Sequence, residues 1–374
     1  MVLSDSQLLE AVDAQMDVAQ DVLRFVHAHP ELGHAEHECS AHLASVLRSR
    51  GLDVDRGVGG METAFRATVH GGRPGRHVGL VAVYDAVPAV LDDTTMRPTH
   101  SCGHGPLSGG VVAAALAHAA LREQMAGRLT VFGCPADEIH APGTVARGGG
   151  KALSAEAGLW DDVDVALYAH PEFIDTVTLE SLWMRRDRVT VGGRRTLREG
   201  PAPAPAAALA AVAQLLDTQP RDRVMLERAV FDGDVEEGSG LALEATFLLF
   251  AGDEAGLEAA AAPLRRALPD ARWHTGRVVA GVRPDPAVTA QVADAFAAAG
   301  RDFVADPPPL PFATDFGNIS RRVPAALVGV GRPGGWDFHT DGGVPQFDGP
   351  DGVEIGRGIA QVLALSAARL TEPA

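Results

Sequence analysis

Five short stretches of this sequence carry side chains that could act together on a substrate. Tyr84-Asp85-Ala86-Val87-Pro88 follows an apolar run that ends at Val83, and His100-Ser101-Cys102-Gly103-His104-Gly105 precedes an alanine-rich segment. Cys134-Pro135-Ala136-Asp137-Glu138 follows a run that ends at Gly133, Ala169-His170-Pro171-Glu172 follows one that ends at Tyr168, and Phe338-His339-Thr340-Asp341 comes late in the chain. Thiolate, imidazole and carboxylate together suit a borderline-soft cation such as Zn²⁺. A catalytic zinc keeps one position open for water and lowers the pKa of that water to about 7. A nearby carboxylate can take the proton and pass it to a leaving amine. Adjacent Asp137 and Glu138 could divide this work, one as base and one as ligand. Cys102-Gly103-His104 alone is a triplet that chance also produces, and a single histidine is more often structural. The signal lies in the repetition of such stretches at the ends of strand-like runs, where sheet enzymes place their sites.

The intervening segments supply those runs. Leu8, Val12, Val18, Val22 and Phe25 recur at helical spacing, which predicts one amphipathic helix over 8–26, broken at His29-Pro30. A second helix is expected over 39–50, ending at Gly51. Strands are expected over 64–69, 77–83, 129–133 and 163–168; the nearly continuous apolar run at 77–83 predicts a strand buried on both faces. Residues 109–121 read as a buried helix. Strands alternating with helices indicate an α/β sandwich. The character changes near Leu182: strands over 188–191, 241–250 and 277–282, helices over 206–216 and 255–268, and a stiff Pro201–Pro205 connector. Helices are expected again over 287–299 and 353–370. The fold class is therefore α/β, a catalytic domain with a central mixed sheet between helices, in two parts (1–184 and 284–374), interrupted by a smaller α+β lid (185–283).

Composition narrows the function. A chain of 374 residues exceeds the size at which one core stops growing, consistent with two domains. The formal net charge of −17 repels phosphate backbones and disfavours nucleic-acid partners. No apolar run reaches the length of a membrane span, and Met1–Glu10 lacks the basic-then-apolar pattern of a secretory leader. Cys39, Cys102 and Cys134 are too few and too irregularly spaced for a disulfide framework. A cytoplasmic location is expected. Lys151 is the only lysine. It ends a glycine run without phosphate-loop spacing, which reads as backbone packing.

Taken in order, the motifs resemble the zinc peptidase/amidohydrolase family of aminoacylases, glutamate-releasing carboxypeptidases and aminobenzoyl-glutamate hydrolase, in its Cys-Gly-His branch. The resemblance runs through His29-Pro30-Glu31-Leu32-Gly33 with Glu36, Gly57–Phe65, Tyr84–Pro88, Ser101–His104, Pro135–Glu138, Gly148–Lys151, Asp162–Ala166, Ala169–Pro171, Thr314–Ser320 and His339-Thr340. It implies two divalent metal ions, zinc first with manganese or cobalt as alternatives, held by Cys102, His104, Glu138, His170 and His339, with Cys102 bridging. It also implies Asp137 as general base, Asp85 as the residue that orients a ligand, and a homodimer formed through the lid. The implied activity is hydrolysis of an amide bond in a dipeptide, an N-acyl amino acid or a related small amide. The alternatives are a biosynthetic member that forms or rearranges an amide, and a non-catalytic ligand-binding member.

Three departures from the family pattern stand out. The base position, usually Glu, is Asp137, one methylene shorter. The lid stretch Gly192–Gly200 lacks the family's histidine; Leu197 falls near its place, and Arg194, Arg195 or Arg198 could supply a cation to an oxyanion. Glu237–Leu241 shows no recognisable substrate-carboxylate grip. Arg195, Arg198, His140 and Trp336 are expected to face the substrate, Trp336 as an aromatic wall. The crowded His27, His29, His34 and His37 correspond to a fold motif of the family, not to ligands.

Overall fold

The computed structural model describes residues 3–90, 96–192, 205–218, 223–232 and 242–373. In chain order the strands are β1 (Asp53–Arg56), β2 (Phe65–His70), β3 (Arg73–Ala82), β4 (Val87–Val90), β5 (Met96–Thr99), β6 (Ala126–Gly133) and β7 (Val165–Glu172). They continue with β8 (Trp183–Gly192), β9 (Val224–Asp232), β10 (Ala242–Ala251), β11 (Arg272–His274), β12 (Val278–Val279) and β13 (Ala325–Gly331). The chain forms two compact units, one of residues 1–180, 282–309 and 315–374, the other of residues 181–281 and 310–314.

The first unit is built on a six-stranded mixed sheet in the order β1-β2-β6-β3-β7-β13. The strands β6, β3, β7 and β13 run parallel, and β1 and β2 complete one edge antiparallel. Val78 to Ala82 are all buried, so both faces of β3 are covered, as its continuous apolar run requires. The helix His104–Ala120 is buried through most of its length because its residues are small. A side chain at Gly109 would meet the Ala19 carbonyl of helix Met16–Ala28, and one at Gly110 would meet the Gly356 carbonyl of helix Pro350–Thr371. Glycine at both positions lets three helices approach closely. Parallel strands end their carboxyl termini on one side of a sheet, where the loops after β3, β6, β7 and β13 gather the polar stretches of the sequence.

Three expectations need revision. The opening helix is two, Asp5–Asp13 and Met16–Ala28. A single apolar face runs through both, and the break at Ala14-Gln15, where ψ is near zero, carries no Gly or Pro to announce it. Strands β1, β4, β5, β9 and β13, the last wholly buried, add to the strands expected from sequence. Of the strand expected over 277–282 only the two-residue β12 forms, and a separate short strand, β11, precedes it, both paired with β8.

The second unit is a sheet in the order β11-β8-β10-β9, with β12 also on β8. Helices Pro205–Thr218 and Glu254–Ala267 pack on it around Val189, Val212, Leu243, Phe247, Leu257 and Leu264. The expected connector lies, apart from Pro205, outside the described residues. Among the described residues, no helix is long and apolar enough to cross a membrane.

Candidate metal centre

Cys102 and His104 flank Gly103, whose φ of +91° turns the chain into the helix His104–Ala120. A side chain at Gly103 would collide with Pro171, so glycine is needed both for the turn and for the approach to β7. The turn sets the Cys102 thiol beside two groups of donors. With His104 and His170 it forms one triad, and with Glu138 and His339 a second, the ligand atoms of each lying within 4.8 Å of one another. The five side chains come from four loops or strand ends: Glu138 follows β6, His170 lies in β7, and His339 lies beyond β13. His339 is the most solvent-exposed of the five; its backbone N–H donates to the Ser101 carbonyl at 2.9 Å, and its φ is +58°.

The histidine tautomers follow from their partners. His104 Nδ1 lies 2.6 Å from the Asp85 carbonyl oxygen, and His170 Nδ1 lies 2.7 Å from the Pro171 carbonyl oxygen. A carbonyl only accepts, so each Nδ1 carries the proton and each Nε2 keeps its lone pair for a cation. Asp85 adds its carboxylate: Oδ1 lies 3.2 Å from His104 Nδ1, and Oδ2 accepts from the Glu138 backbone N–H at 2.9 Å. Asp85 thus orients His104 through its backbone carbonyl and the Glu138 backbone through its carboxylate.

The donor set fits a cation. Cys102 Sγ to His170 Nε2 is 3.6 Å, and Glu138 lies 3.8 Å from both His104 Nε2 and His339 Nε2. Ligands about 2.0–2.3 Å from a tetrahedral ion would stand roughly 3.3–3.8 Å apart. His104 Nε2 and Glu138 Oε1 are buried with no hydrogen-bond partner. Atoms left this way cost free energy unless something absent from the chain completes them. Burial by itself would raise the Cys102 pKa, but His104 and His170 in their protonated form outweigh it and hold the thiol well below its usual range, a positive charge that a bound cation would supply once the rings are neutral. Burial and the adjacent Cys102 sulfur push Glu138 upward, a repulsion that a bound cation would relieve.

Asp137 stands at the edge of the cluster, with Oδ2 3.2 Å from His104 Nε2. The Tyr168 hydroxyl donates to the same oxygen at 3.2 Å, and Lys151 Nζ donates to Oδ1. The preceding residue, Ala136, has φ +58°, a strained value for a side chain with Cβ. Its N–H donates to buried Glu36 at 2.7 Å, and Glu36 also accepts from Thr63 at 2.9 Å. Burial, followed by the Asp85 charge, pushes Glu36 up to about 7.

The model of the peptidase family M20/M25/M40 matches residues 80–360, most of the chain and every one of these donors. The chain belongs to this family. Among M20 relatives, it is 33% identical over 174 residues to a p-aminobenzoyl-glutamate hydrolase subunit of Escherichia coli, a stretch covering 44% of this chain and 34% of that protein. It is 29% identical over 164 residues to an N-acyl-L-amino acid amidohydrolase of Geobacillus stearothermophilus, covering 41% and 42%. The matched stretches thus span less than half the length of these relatives. The M20 fold is seen in a solved structure of the Bacillus subtilis protein YxeP, described as a dinuclear metal binding peptidase. It has a TM-score of 0.68 and 17% identity, and the match covers 96% of this chain and 99% of that one; at this identity it speaks for the fold alone.

Not every expected site residue gathers at this M20 centre. Trp336 is 4% exposed; Phe347 stacks on its ring at 4.4 Å, Arg332 lies 4.0 Å from its centroid, and its Nε1 donates to the Glu172 carbonyl. With its ring covered in this way, it is packing and not a substrate wall. Half-buried Phe338, 6.0 Å from the His170 ring, is the aromatic that flanks the donors. His140 is exposed on the loop that carries Glu138. Arg194, Arg195, Leu197, Arg198 and the Glu237–Leu241 segment lie outside the described residues. Sequence reasoning missed Lys151, whose side chain is wholly buried against Asp137 and Asp315 and is not a mere terminus of a glycine run. Its being the only lysine beside 31 arginines is the signal that could have found it.

Proposed function

We propose that this protein is a metal-dependent hydrolase that cleaves the amide bond of a small substrate such as a dipeptide or an N-acyl amino acid. The observation that carries the reading is the membership of Cys102 in both donor triads, which suits two divalent cations sharing one thiolate. Cys102, His104, Glu138, His170 and His339 would hold them, and zinc is the first candidate from the mixture of sulfur, nitrogen and oxygen donors. Bound ions of this kind polarise a carbonyl oxygen and acidify water. Asp137 faces the same space and takes the proton from the attacking water, then returns it to the leaving nitrogen. Asp85 keeps His104 in the tautomer that leaves Nε2 free. The substrate classes named for the relatives support an acyl or aminoacyl group at the scissile bond.

A homodimer through residues 181–281 belongs to the same reading. Among the described residues β9 is an edge strand with Met225 and Phe231 exposed, a surface suited to burial against a second copy. Three free cysteines are consistent with a reducing, cytoplasmic setting.

Elemental analysis of purified wild type and His104→Ala tests the centre. One or two transition-metal equivalents per chain, lost in the variant, with release of a free amine from an N-acyl amino acid or dipeptide, is the expected result. A wild type that takes up no zinc or manganese on reconstitution would sink the proposal.

A further inference from the structure

Lys151 occupies an unusual place for its residue type. Its side chain is 0% exposed, at the start of the short helix Gly150–Glu156. Nζ lies 2.7 Å from Asp315 Oδ1, pairs with Asp137 Oδ1, and stands 5.1 Å from the Tyr168 ring centroid. Asp315 is itself anchored, its Oδ2 accepting from the Ala152 N–H at 3.0 Å. The glycines before the lysine make room: a side chain at Gly149 would collide with the Asp315 carboxylate, and one at Gly150 with the Pro135 carbonyl. An ammonium here is strongly desolvated, a cost met only by close opposite charge. Burial alone would lower its pKa; Asp137 and then Asp315 overcome this and raise it.

We propose that Lys151 is the positioning residue for Asp137, held in place by Asp315, and that this arrangement orients the short carboxylate at the base position of the hydrolase proposed above. Each oxygen of Asp137 has a defined donor, Lys151 at Oδ1 and Tyr168 at Oδ2, so Oδ2 is held toward the His104 side. An aspartate reaches one methylene less far than a glutamate, and misplacement of about 1 Å at a reacting group can cost about a hundredfold in rate. A compact ammonium on a flexible stem suits a point contact between two carboxylates, whereas the planar fork of arginine suits a flat bidentate partner. This agrees with 31 of 32 basic residues in the chain being arginine and the sole lysine being here.

The test uses the zinc-loaded full chain and the double variant Lys151→Met/Asp315→Asn, which removes one positive and one negative charge together. Metal per chain, kcat and KM on an amide turned over by wild type, and crystal structures of both are measured. Expected are unchanged metal and KM, kcat reduced about a hundredfold, and an Asp137 carboxylate turned out of its wild-type orientation. An unmoved Asp137 overturns the proposal whatever the rate, as does a displaced Asp137 with unchanged kcat. Should wild type turn over no amide, the hydrolase reading falls, and the orientation of Asp137 alone still decides the role of Lys151. A third measurement covers a variant that fails to fold. Wild type labelled with ¹⁵N-lysine should give one side-chain ammonium signal, protected from exchange and shifted by Asp137→Asn. A rapidly exchanging signal indifferent to that change overturns the proposal.

Discussion

Arg185 and Asp187 in the 181–281 unit form a buried charged cluster in which both oxygens of the aspartate are engaged. Arg185 holds them at 2.8 and 3.0 Å and reaches Glu258, while the Gly276 N–H donates to Asp187 at 3.2 Å. The cluster around Cys102 in the other unit is buried at His104 and Glu138 but incomplete: His104 Nε2 and Glu138 Oε1 have no hydrogen-bond partner. Ala136, next to Asp137, and His339, one of the donors, have left-handed backbone and add strain to it. The Arg185–Asp187 cluster has no such residue among those described. A finished cluster holds a fold together, and its cost is balanced within the chain. An unfinished, strained one is a place prepared for something the chain does not supply.

Breaking the unfinished cluster should have the largest effect. Cys102→Ala removes the donor shared by both triads, so both ions should be lost and turnover should fall below detection; full metal content by elemental analysis would contradict the assignment. Asp137→Asn keeps every donor but removes the base, so metal should remain while kcat drops about 10²–10⁴-fold. Unchanged steady-state turnover would exclude Asp137 from proton transfer. In the finished cluster the expected effect is on stability. Asp187→Ala strands Arg185, which is 2% exposed, and should cost about 3–5 kcal/mol in a denaturant titration while metal content stays constant. Loss of metal in that variant would erase the distinction between the clusters.

Two smaller effects sharpen the contrast. His118 is a buried neutral group away from both clusters, with Nε2 3.0 Å from the Ala364 carbonyl. Burial pushes its pKa down to about 4, against the opposing pull of that carbonyl. Between about pH 6.5 and 4 the unfolded chain binds a proton that the folded chain refuses. Stability from this group is therefore complete above about pH 6.5 and lost as pH falls toward 4, by at most roughly 3 kcal/mol. His118→Gln should flatten that part of the stability–pH curve; an identical fall in wild type and variant would show that other groups cause it. Glu258→Ala should change stability least, by under about 1 kcal/mol in the same denaturant titration, because its side chain is 56% exposed and water screens its pairing with Arg185.

Much of the candidate metal centre is legible in the sequence because the chemistry proposed for it restricts residue type. Few side chains offer a thiolate, an imidazole or a carboxylate, and the turns at strand ends leave compact signatures such as Cys102-Gly103-His104. The sheet strands β3, β6 and β7 announce themselves by continuous apolar runs. Strand β13 carries an equally apolar run, but no periodic helix directly follows it to mark a strand–helix unit, and sequence alone does not single it out. Trp336 departs from its expected role because an aromatic near a ligand in sequence can face either the site or the packing behind it, and only Phe347 and Arg332 on its ring show which.

By itself the sequence offered the candidate donors in order along the chain, through short motifs that resemble one family, and it carried the alternation of strands and helices through short-range periodicity. Tertiary structure decided which atoms meet. It chose the Nε2 lone pairs of His104 and His170 by giving each Nδ1 a carbonyl, placed Cys102 between two triads, and closed Lys151 between Asp137 and Asp315. Asp315 is 163 residues from its hydrogen-bond donor Ala152 along the chain, and its approach depends on strand order in the sheet and on glycines that let the backbones close. Contacts of that separation arise from packing, which no local pattern encodes.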